Sequence, residues 1–295
     1  MVKKKVILIL GTGHCGSTLL ELLLSSHQNA VGVGELKALA FYKAYFQRTK
    51  PVCDFHGFND SLWSNELLNQ LEPFMQDYSS LLNRFLTRFL PQISIHKNRR
   101  KVYSLLLAHS GKDYLIDNSK HWNWVKKSYF QLLNDSEAEP FIIMVSRLPH
   151  AIINAYAREN PAEGFDFHLQ KHFQRVNEME RFYDSIPKFK MKISYESLAT
   201  DTASVLRSIC DALGMTFDPS MLRYWEHEHH SLAGNPGTKS FIYKYHKIDP
   251  KLSNEKMTYY GNHPLGIHLD ARWKKELKQE QIEQINSFFN YSSDL

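Results

Sequence analysis

Near the N-terminus, Val6-Ile7-Leu8-Ile9-Leu10 is an unbroken β-branched and aliphatic run that stops at Gly11. Gly11-Thr12-Gly13-His14-Cys15-Gly16-Ser17-Thr18 follows, and then Leu19, Leu20, Leu22, Leu23 and Leu24 recur at helical spacing. The pattern predicts a strand, a tight loop and a helix. The unpaired backbone N–H groups at the start of that helix would face the loop, and such a place binds anions, usually a phosphate.

Beyond a turn at residues 25–29, Ala30-Val31-Gly32-Val33-Gly34-Glu35 reads as a short extended piece ending on a carboxylate. Residues 36–110 show helical periodicity and no good strand. Leu67, Leu68, Leu71, Phe74, Met75 and Tyr78 share one helix face, which Leu81, Leu82, Phe85, Leu86, Phe89 and Leu90 continue. Pro51 and residues 53–59 interrupt this region, which reads as a helical insertion over the sheet. Asp113–Asp117 is the next expected strand, and a helix follows from about Trp122 to Leu133. Phe141-Ile142-Ile143-Met144-Val145 is continuously apolar, as a central parallel strand covered on both faces requires. It ends at Ser146-Arg147, and Pro149 opens a helix. A long amphipathic helix (about Phe167 to Tyr183) precedes Phe189–Tyr195, whose alternation marks a half-covered strand nearer an edge. Thr202 to Leu213 reads as a helix with Gly214 as its C-cap, and Asp218 as the N-cap of another. A loop rich in Gly, Asn and Pro leads to a closing helix, Ala271 to Phe289. Strands alternating with helices predict an α/β fold: a parallel central sheet flanked by helices, in a single domain over residues 1–295 with the helical insertion at about 36–110.

Composition narrows the classes. Lys and Arg number 36 against 31 Asp and Glu, a net charge of +5 that suits an anionic ligand without arguing for nucleic acid. Three widely spaced cysteines, Cys15, Cys53 and Cys210, make no disulfide framework and favour a reducing compartment. Lys3-Lys4-Lys5 before aliphatics imitates a signal peptide, but the apolar run is too short and no cleavage site follows. With no stretch of membrane-spanning length, a soluble cytoplasmic protein is expected, with no membrane partner.

The glycine loop fits several chemistries. Gly11-x-Gly13-x-x-Gly16 satisfies the dinucleotide fingerprint, with Glu35 about where a ribose-binding acid belongs. Against an NAD(P)-dependent oxidoreductase, a long helical region follows Glu35 instead of the next βαβ unit. Gly11-x-x-x-x-Gly16 also begins a Walker A loop, yet Ser17-Thr18 stand where Lys and Ser/Thr should, and the strand at 141–145 ends in Ser146-Arg147 with no Mg²⁺-binding carboxylate. A cysteine phosphatase needs an arginine six residues after Cys15, and that residue is Glu21, which would repel the substrate. Cys15 then reads as a small residue packed under the loop. A non-catalytic nucleotide-binding protein stays open as a further alternative.

The apolar strand, Gly-x-x-(basic)-x-Gly-Ser/Thr-Thr-Leu-Leu loop, and later apolar strand ending in Arg before a Pro-started helix resemble the sulfotransferases that use 3′-phosphoadenosine 5′-phosphosulfate (PAPS). The likeness is nearer the bacterial, tyrosylprotein and carbohydrate branch than the cytosolic steroid branch, and its motifs occupy four or five short stretches in order along the chain. It implies a P-loop NTPase-like sulfotransferase fold. It also implies 5′-phosphate contacts from Gly13, His14, Cys15, Gly16, Ser17, Thr18 and Leu19. His14 stands where the family usually has Lys or Arg aimed at the bridging oxygen and sulfonate. Arg147 matches the 3′-phosphate arginine. Eight residues on, where relatives often carry a serine, this chain has Ala155, and Asn154 or His150 is expected to replace the lost donor. Tyr195 matches a tyrosine that approaches the adenine. Residues 229–236 resemble a late His-x-x-x-Gly-Asn segment, so Asn235 and Lys239 become phosphate partners. Glu35 matches the catalytic base of the tyrosylprotein branch, with His121 as the other candidate, and Lys120 matches a lysine that steadies the bridging oxygen.

The implied reaction is metal-free in-line transfer of a sulfuryl group from PAPS to a hydroxyl, or an amine, of a small-molecule acceptor, with a specialised metabolite as the expected acceptor. The run Glu226-His227-Glu228-His229-His230 suggests metal, but no ligand set of known spacing accompanies it. Phe41, Tyr42, Tyr45, Phe46 and Phe55 are candidates to line the acceptor pocket.

Overall fold

A computed structural model describes residues 3–41, 43–75, 98–248 and 262–290 of the 295-residue chain. Its centre is one all-parallel sheet of five strands: β1 (Lys4–Gly11), β2 (Ala30–Gly32), β3 (Tyr114–Lys120), β4 (Ala138–Ser146) and β5 (Lys190–Ser194), in the order β2-β3-β1-β4-β5. β1 lies between β3 and β4, with Ile7 paired to Ile116 on one side and to Phe141 on the other. That position explains its unbroken apolar run: Val6 to Leu10 are all fully buried.

The helices among the described residues are α1 (Ser17–Ser25), α2 (Lys43–Phe46), α3 (Asn65–Met75), α4 (Arg99–Ser110), α5 (Trp122–Leu132), α6 (Pro149–Glu159), α7 (Phe165–Asp184), α8 (Tyr195–Thr200), α9 (Thr202–Leu213), α10 (Pro236–His246), α11 (Trp273–Glu276) and α12 (Gln279–Phe289). α1 is leucine-rich all round because it is sandwiched, with β1, β2 and β3 on one side and the 3₁₀ segment Pro219–Glu226 on the other. Leu20, Leu22, Leu23 and Leu24 are accordingly solvent-free. Between β2 and β3 the regular elements among the described residues are helices, joined over residues 47–64 by turns and bends, with isolated bridges at Gly34–Leu232 and Cys53–Gly57. The face expected to run on through Tyr78 to Leu90 lies outside the described residues.

Three elements differ from the pattern-based expectation. β5 is an edge strand paired only with β4, but its side chains are nearly all half-buried instead of alternating, and Tyr195 opens α8 with Ser194 as its N-cap. The expected closing helix is two helices, because Leu277 adopts an extended conformation (φ −81°, ψ 141°) and Lys278 begins a fresh helix, its N–H donating to Gln281 Oε1 at 3.0 Å. Leu277 packs there against the small cluster of Ile153, Leu169 and Ile285. Within the Gly/Asn/Pro-rich stretch stands α10, capped by the Asn235 side chain on Thr238 N–H with Pro236 at its first position.

Because every strand is parallel, all five carboxyl ends emerge along one edge of the sheet. The chain leaves β1 toward β3 and β2 and returns across it from β3 to β4, so the direction of winding reverses at β1. Ligands of open α/β sheets bind in the crevice outside such a reversal.

Candidate active site

The crevice is lined first by the loop after β1. His14 (φ 63°) and Gly16 (φ 92°) are left-handed, and together they turn the chain from strand to helix. Space forces two of the glycines: a Cβ on Gly13 would overlap the Tyr156 hydroxyl, and one on Gly16 would overlap the Tyr195 ring. Gly16 sits at the N-cap of α1 and offers no side-chain cap to its first turn. Gly13, His14, Gly16, Ser17, Thr18 and Leu19 line the cleft, whereas Cys15 is fully buried beneath the loop. Burial pushes its thiol up, and Ser17 hydrogen-bonds to it, so Cys15 packs the loop from below. Across the cleft Thr18 Oγ1 accepts from Asn235 N–H at 3.0 Å, which ties α1 to the start of α10.

Glu35 and Lys120 meet at the ends of β2 and β3 as an ion pair inside the cleft. Lys120 is itself left-handed (φ 46°), and the preceding strand is held from within: Asp117 accepts from Tyr103 Oη (2.7 Å), Trp124 Nε1 (2.8 Å) and Ser119 N–H (2.8 Å). Glu35 is placed by its backbone, whose N–H donates to Leu232 O at 2.7 Å. Beneath it lies Glu21, fully buried, accepting from Gly34 N–H (2.8 Å) and Asn118 Nδ2 (3.2 Å). Burial pushes the Glu21 carboxyl up to about 7, against the charge of Lys239 and hydrogen bonds from Ser231, Asn118 and Gly34. Glu21, considered above only as a missing phosphatase arginine, thus holds the turn that carries Glu35. His121, the other candidate base, does not line the cleft; its ring caps α5 by accepting from Asn123 N–H (3.3 Å) and stacks beside Trp122.

Arg147 stands at the end of β4 with its guanidinium 4.2 Å over the Tyr195 ring. Its Nη1 donates to His14 O (2.7 Å), its Nη2 donates to Asp270 O (2.9 Å) and lies 3.4 Å from the Asp270 carboxylate, and its buried Nε has no partner among the described residues. Asp270 also receives both arms of Arg272, at 2.8 Å each. Burial would raise the Asp270 carboxyl, but the Arg272 hydrogen bonds and the Arg147 charge hold it well below the usual carboxylate range. His14 lies 3.3 Å from Glu159 and edge-on to Tyr156.

Two expected phosphate partners point elsewhere. Asn154 is buried and donates to Glu276 Oε2 (2.6 Å), leaving Ala155 and, one turn on, Arg158 to line the cleft. Lys239 is a buried residue of α10, bonded to Asp54 (3.0 Å) and Ser231 O (3.1 Å), and His150 lies against Trp273. Asn235 lines the cleft, as do Arg158 and Arg272, which the sequence reading missed. Arg158 shares the helix face of Ala155 at i+3, a signal that was available; Arg272 lies in a segment with no motif. Of the aromatics proposed for an acceptor pocket, Tyr45 and Phe55 are core residues, Phe46 packs on the core and Phe41 is half-exposed; none lines this cleft, and Tyr42 lies outside the described residues.

A parallel sheet whose first strand feeds a glycine loop into a helix, with cations at its other strand ends, defines an α/β protein of the P-loop-like class. The model of the sulfotransferase family matches residues 6–219, and the chain belongs to that family. Among solved structures it is similar to the sulfotransferase domain from the curacin biosynthetic pathway (17% identity, 99% of both chains, TM-score 0.57). It is also similar to the sulfotransferase domain of the Synechococcus PCC 7002 olefin synthase (19% identity, 98% of this chain and 96% of that one, TM-score 0.52). At these identities the likeness establishes the fold. No curated protein matches the sequence. No helix among the described residues is long and apolar enough to cross a membrane.

Proposed function

We propose that the protein transfers a sulfuryl group from PAPS to a hydroxyl group of a small-molecule acceptor. The observation that carries this reading is the Glu35–Lys120 pair inside the cleft, a short reach from the glycine loop and opposite Arg147. A phosphate-handling fold needs only anion donors to bind a nucleotide; a carboxylate held among them suits proton removal from an attacking hydroxyl. Family membership gives the transferred group.

In this reading the loop amides, with the Ser17 and Thr18 hydroxyls, hold the 5′-phosphate, and the unpartnered Nε of Arg147 fits a second phosphate at the 3′ position. Arg158 and Arg272, two cations beside Ala155, supply the contacts that a serine there would have made. Tyr195, already carrying Arg147 on its face, borders the adenine. Glu35 takes the proton of the acceptor hydroxyl as its oxygen bonds to sulfur and the bond from sulfur to the bridging oxygen breaks. Lys120 and His14 stabilise the negative charge left on the 5′-phosphate. In this reading Lys120, His14 and the loop amides supply the charge stabilisation, and the transfer needs no metal ion. The test is calorimetric titration with 3′,5′-adenosine bisphosphate, NAD(H) and Mg-ATP in parallel. Binding of the bisphosphate alone is expected; binding of NAD(H) with none of the bisphosphate would overturn the reading.

A further inference from the structure

Outside the residues that line the cleft, a loop of the insertion meets the histidine-rich run. Cys53, His56 and Asp60 come from that loop, and Glu228 and His230 from the run some 170 residues later. Cys53 Sγ lies 3.6 Å from His56 Nδ1, which is 2.9 Å from Asp60 Oδ2; His230 Nδ1 is 3.0 Å from both Asp60 oxygens. Cys53, His56 and Asp60 thus bring one ligand atom each within 4.8 Å of one another, and His230 reaches the same Asp60 carboxylate. Around a tetrahedral zinc ion with bonds of about 2.0–2.3 Å, neighbouring ligand atoms stand about 3.3–3.6 Å apart. The Cys53–His56, His56–Asp60 and Asp60–His230 separations lie within a few tenths of an ångström of that spacing.

The outward nitrogens make the stronger argument. His56 Nε2 and His230 Nε2 both face one carboxylate oxygen of Glu228, at 3.7 and 3.9 Å. A neutral imidazole carries one N–H, so each ring, unless it is protonated or metal-bound, sets a lone pair against either Asp60 or Glu228. A metal on the two Nδ1 atoms removes the conflict: both Nε2–H groups then point at Glu228, the usual outer carboxylate behind a metal-bound histidine. Other groups prepare the site. Asp60 Oδ1 accepts from Leu62 N–H (2.9 Å) and Trp63 N–H (3.0 Å), and Trp63 Nε1 donates to His230 O (2.7 Å). Neighbouring His229 is not available, since its ring nitrogens contact Tyr224 O (2.7 Å) and Ser25 Oγ (3.1 Å).

We infer that Cys53, His56, Asp60 and His230 form a structural zinc site, with Glu228 as its outer carboxylate. Mixed sulfur, nitrogen and oxygen ligands in a closed four-coordinate set suit Zn²⁺ above other divalent ions. The ion clips the insertion loop to the segment whose Leu232 holds the Glu35 backbone and whose Asn235 caps α10 at the cleft. It is separate from the donor site, and its test needs no transfer assay.

The full-length protein, produced with zinc in the medium and desalted, is analysed for metal by mass spectrometry. One zinc per chain is expected. Titrating the zinc-stripped protein with Co²⁺ is expected to give thiolate charge-transfer and intense tetrahedral ligand-field absorption. Cys53→Ser and His230→Gln are expected to weaken zinc binding about tenfold or more in competition with a chromophoric chelator. His227→Gln, in the same run but bonded to Ser220 O, is expected to keep it. Zinc no higher than a buffer blank with no cobalt–thiolate absorption from the folded wild type would overturn the assignment, and so would equal zinc affinity in wild type, Cys53→Ser and His230→Gln. The cobalt spectrum of the wild type keeps the test decisive if either variant fails to fold.

Discussion

Gly16→Ala probes the donor loop with a single carbon. Two costs follow from the structure. Gly16 is left-handed (φ 92°), a conformation that costs an L-residue about 1–2 kcal/mol. The added Cβ would also overlap Tyr195 Cδ2 and stand 3.2 Å from Cε2 and Cγ of the same ring. Carbon pairs settle at about 3.5–4.0 Å, so the ring must retreat by about 1 Å. That ring supports the Arg147 guanidinium, and its hydroxyl accepts from Asp270 N–H at 3.1 Å. Its retreat therefore misaims the arginine as well as the loop. Loss of one charge-assisted hydrogen bond, about 1.5–3 kcal/mol, corresponds to a rise in Kd for 3′,5′-adenosine bisphosphate of about 10- to 150-fold. The accompanying loss of stability lowers Tm by a few degrees, at about 2–4 °C per kcal/mol in a domain of this order of size. Calorimetry and thermal melting read the two quantities separately. Adding Tyr195→Ala relieves the overlap and should return the part of the stability loss beyond the backbone cost, a non-additive cycle. A Gly16→Ala protein that melts like wild type and binds the bisphosphate within about twofold of it would refute the reasoning.

Glu21 gives a pH signature. Its carboxyl is at about 7 in the folded protein against an ordinary 4.5, so its contribution is fully present below about pH 4.5 and is lost as pH rises through about 7. The displacement corresponds to about 3 kcal/mol. Urea unfolding from pH 4.5 to 8 should show the wild type losing stability across this window and Glu21→Gln losing less; parallel slopes would contradict the assignment. Arg147→Lys keeps the charge but not the fork, and should raise the bisphosphate Kd by about tenfold or more in calorimetry, with unchanged affinity as the adverse result. Asn235→Ala removes the cap of α10 and should cost about 1 kcal/mol in chemical denaturation; a neutral change would mean that the cap is dispensable.

What could be read before the structure was whatever depends on local sequence. The apolar runs at 6–10 and 141–145 became two of the three inner strands, and because parallel strands share one carboxyl end, Glu35, Lys120, Arg147 and Tyr195 were bound to converge with the loop. Arg272 escaped because its placement is tertiary, Asp270 gathering it with Arg147, whereas Arg158 was signalled by its i+3 spacing from Ala155 and is gathered with Asn154 by Glu276. The same contacts turn Asn154 away, and Asp54 does so for Lys239. The break at Leu277 carries no Pro or Gly to announce it; its cause is apolar packing on Ile153 and Ile285. α10, by contrast, was legible in Asn235-Pro236, a cap followed by a first-position proline, in a stretch that composition alone made a loop. The histidine run at 226–230 lacked a ligand spacing because its partners are supplied by residues 53–60.

The central claim is that Glu35 abstracts a proton while the loop and Arg147 hold PAPS. It is tested most directly by following a labelled sulfuryl group from PAPS into acceptors extracted from the native cell, with wild type and Glu35→Gln side by side. The account predicts a labelled product with the wild type, and with Glu35→Gln a transfer rate lower by about 10² or more while bisphosphate binding persists. Undiminished transfer by Glu35→Gln, or no labelled product from a wild type that fails to bind the bisphosphate, would contradict it.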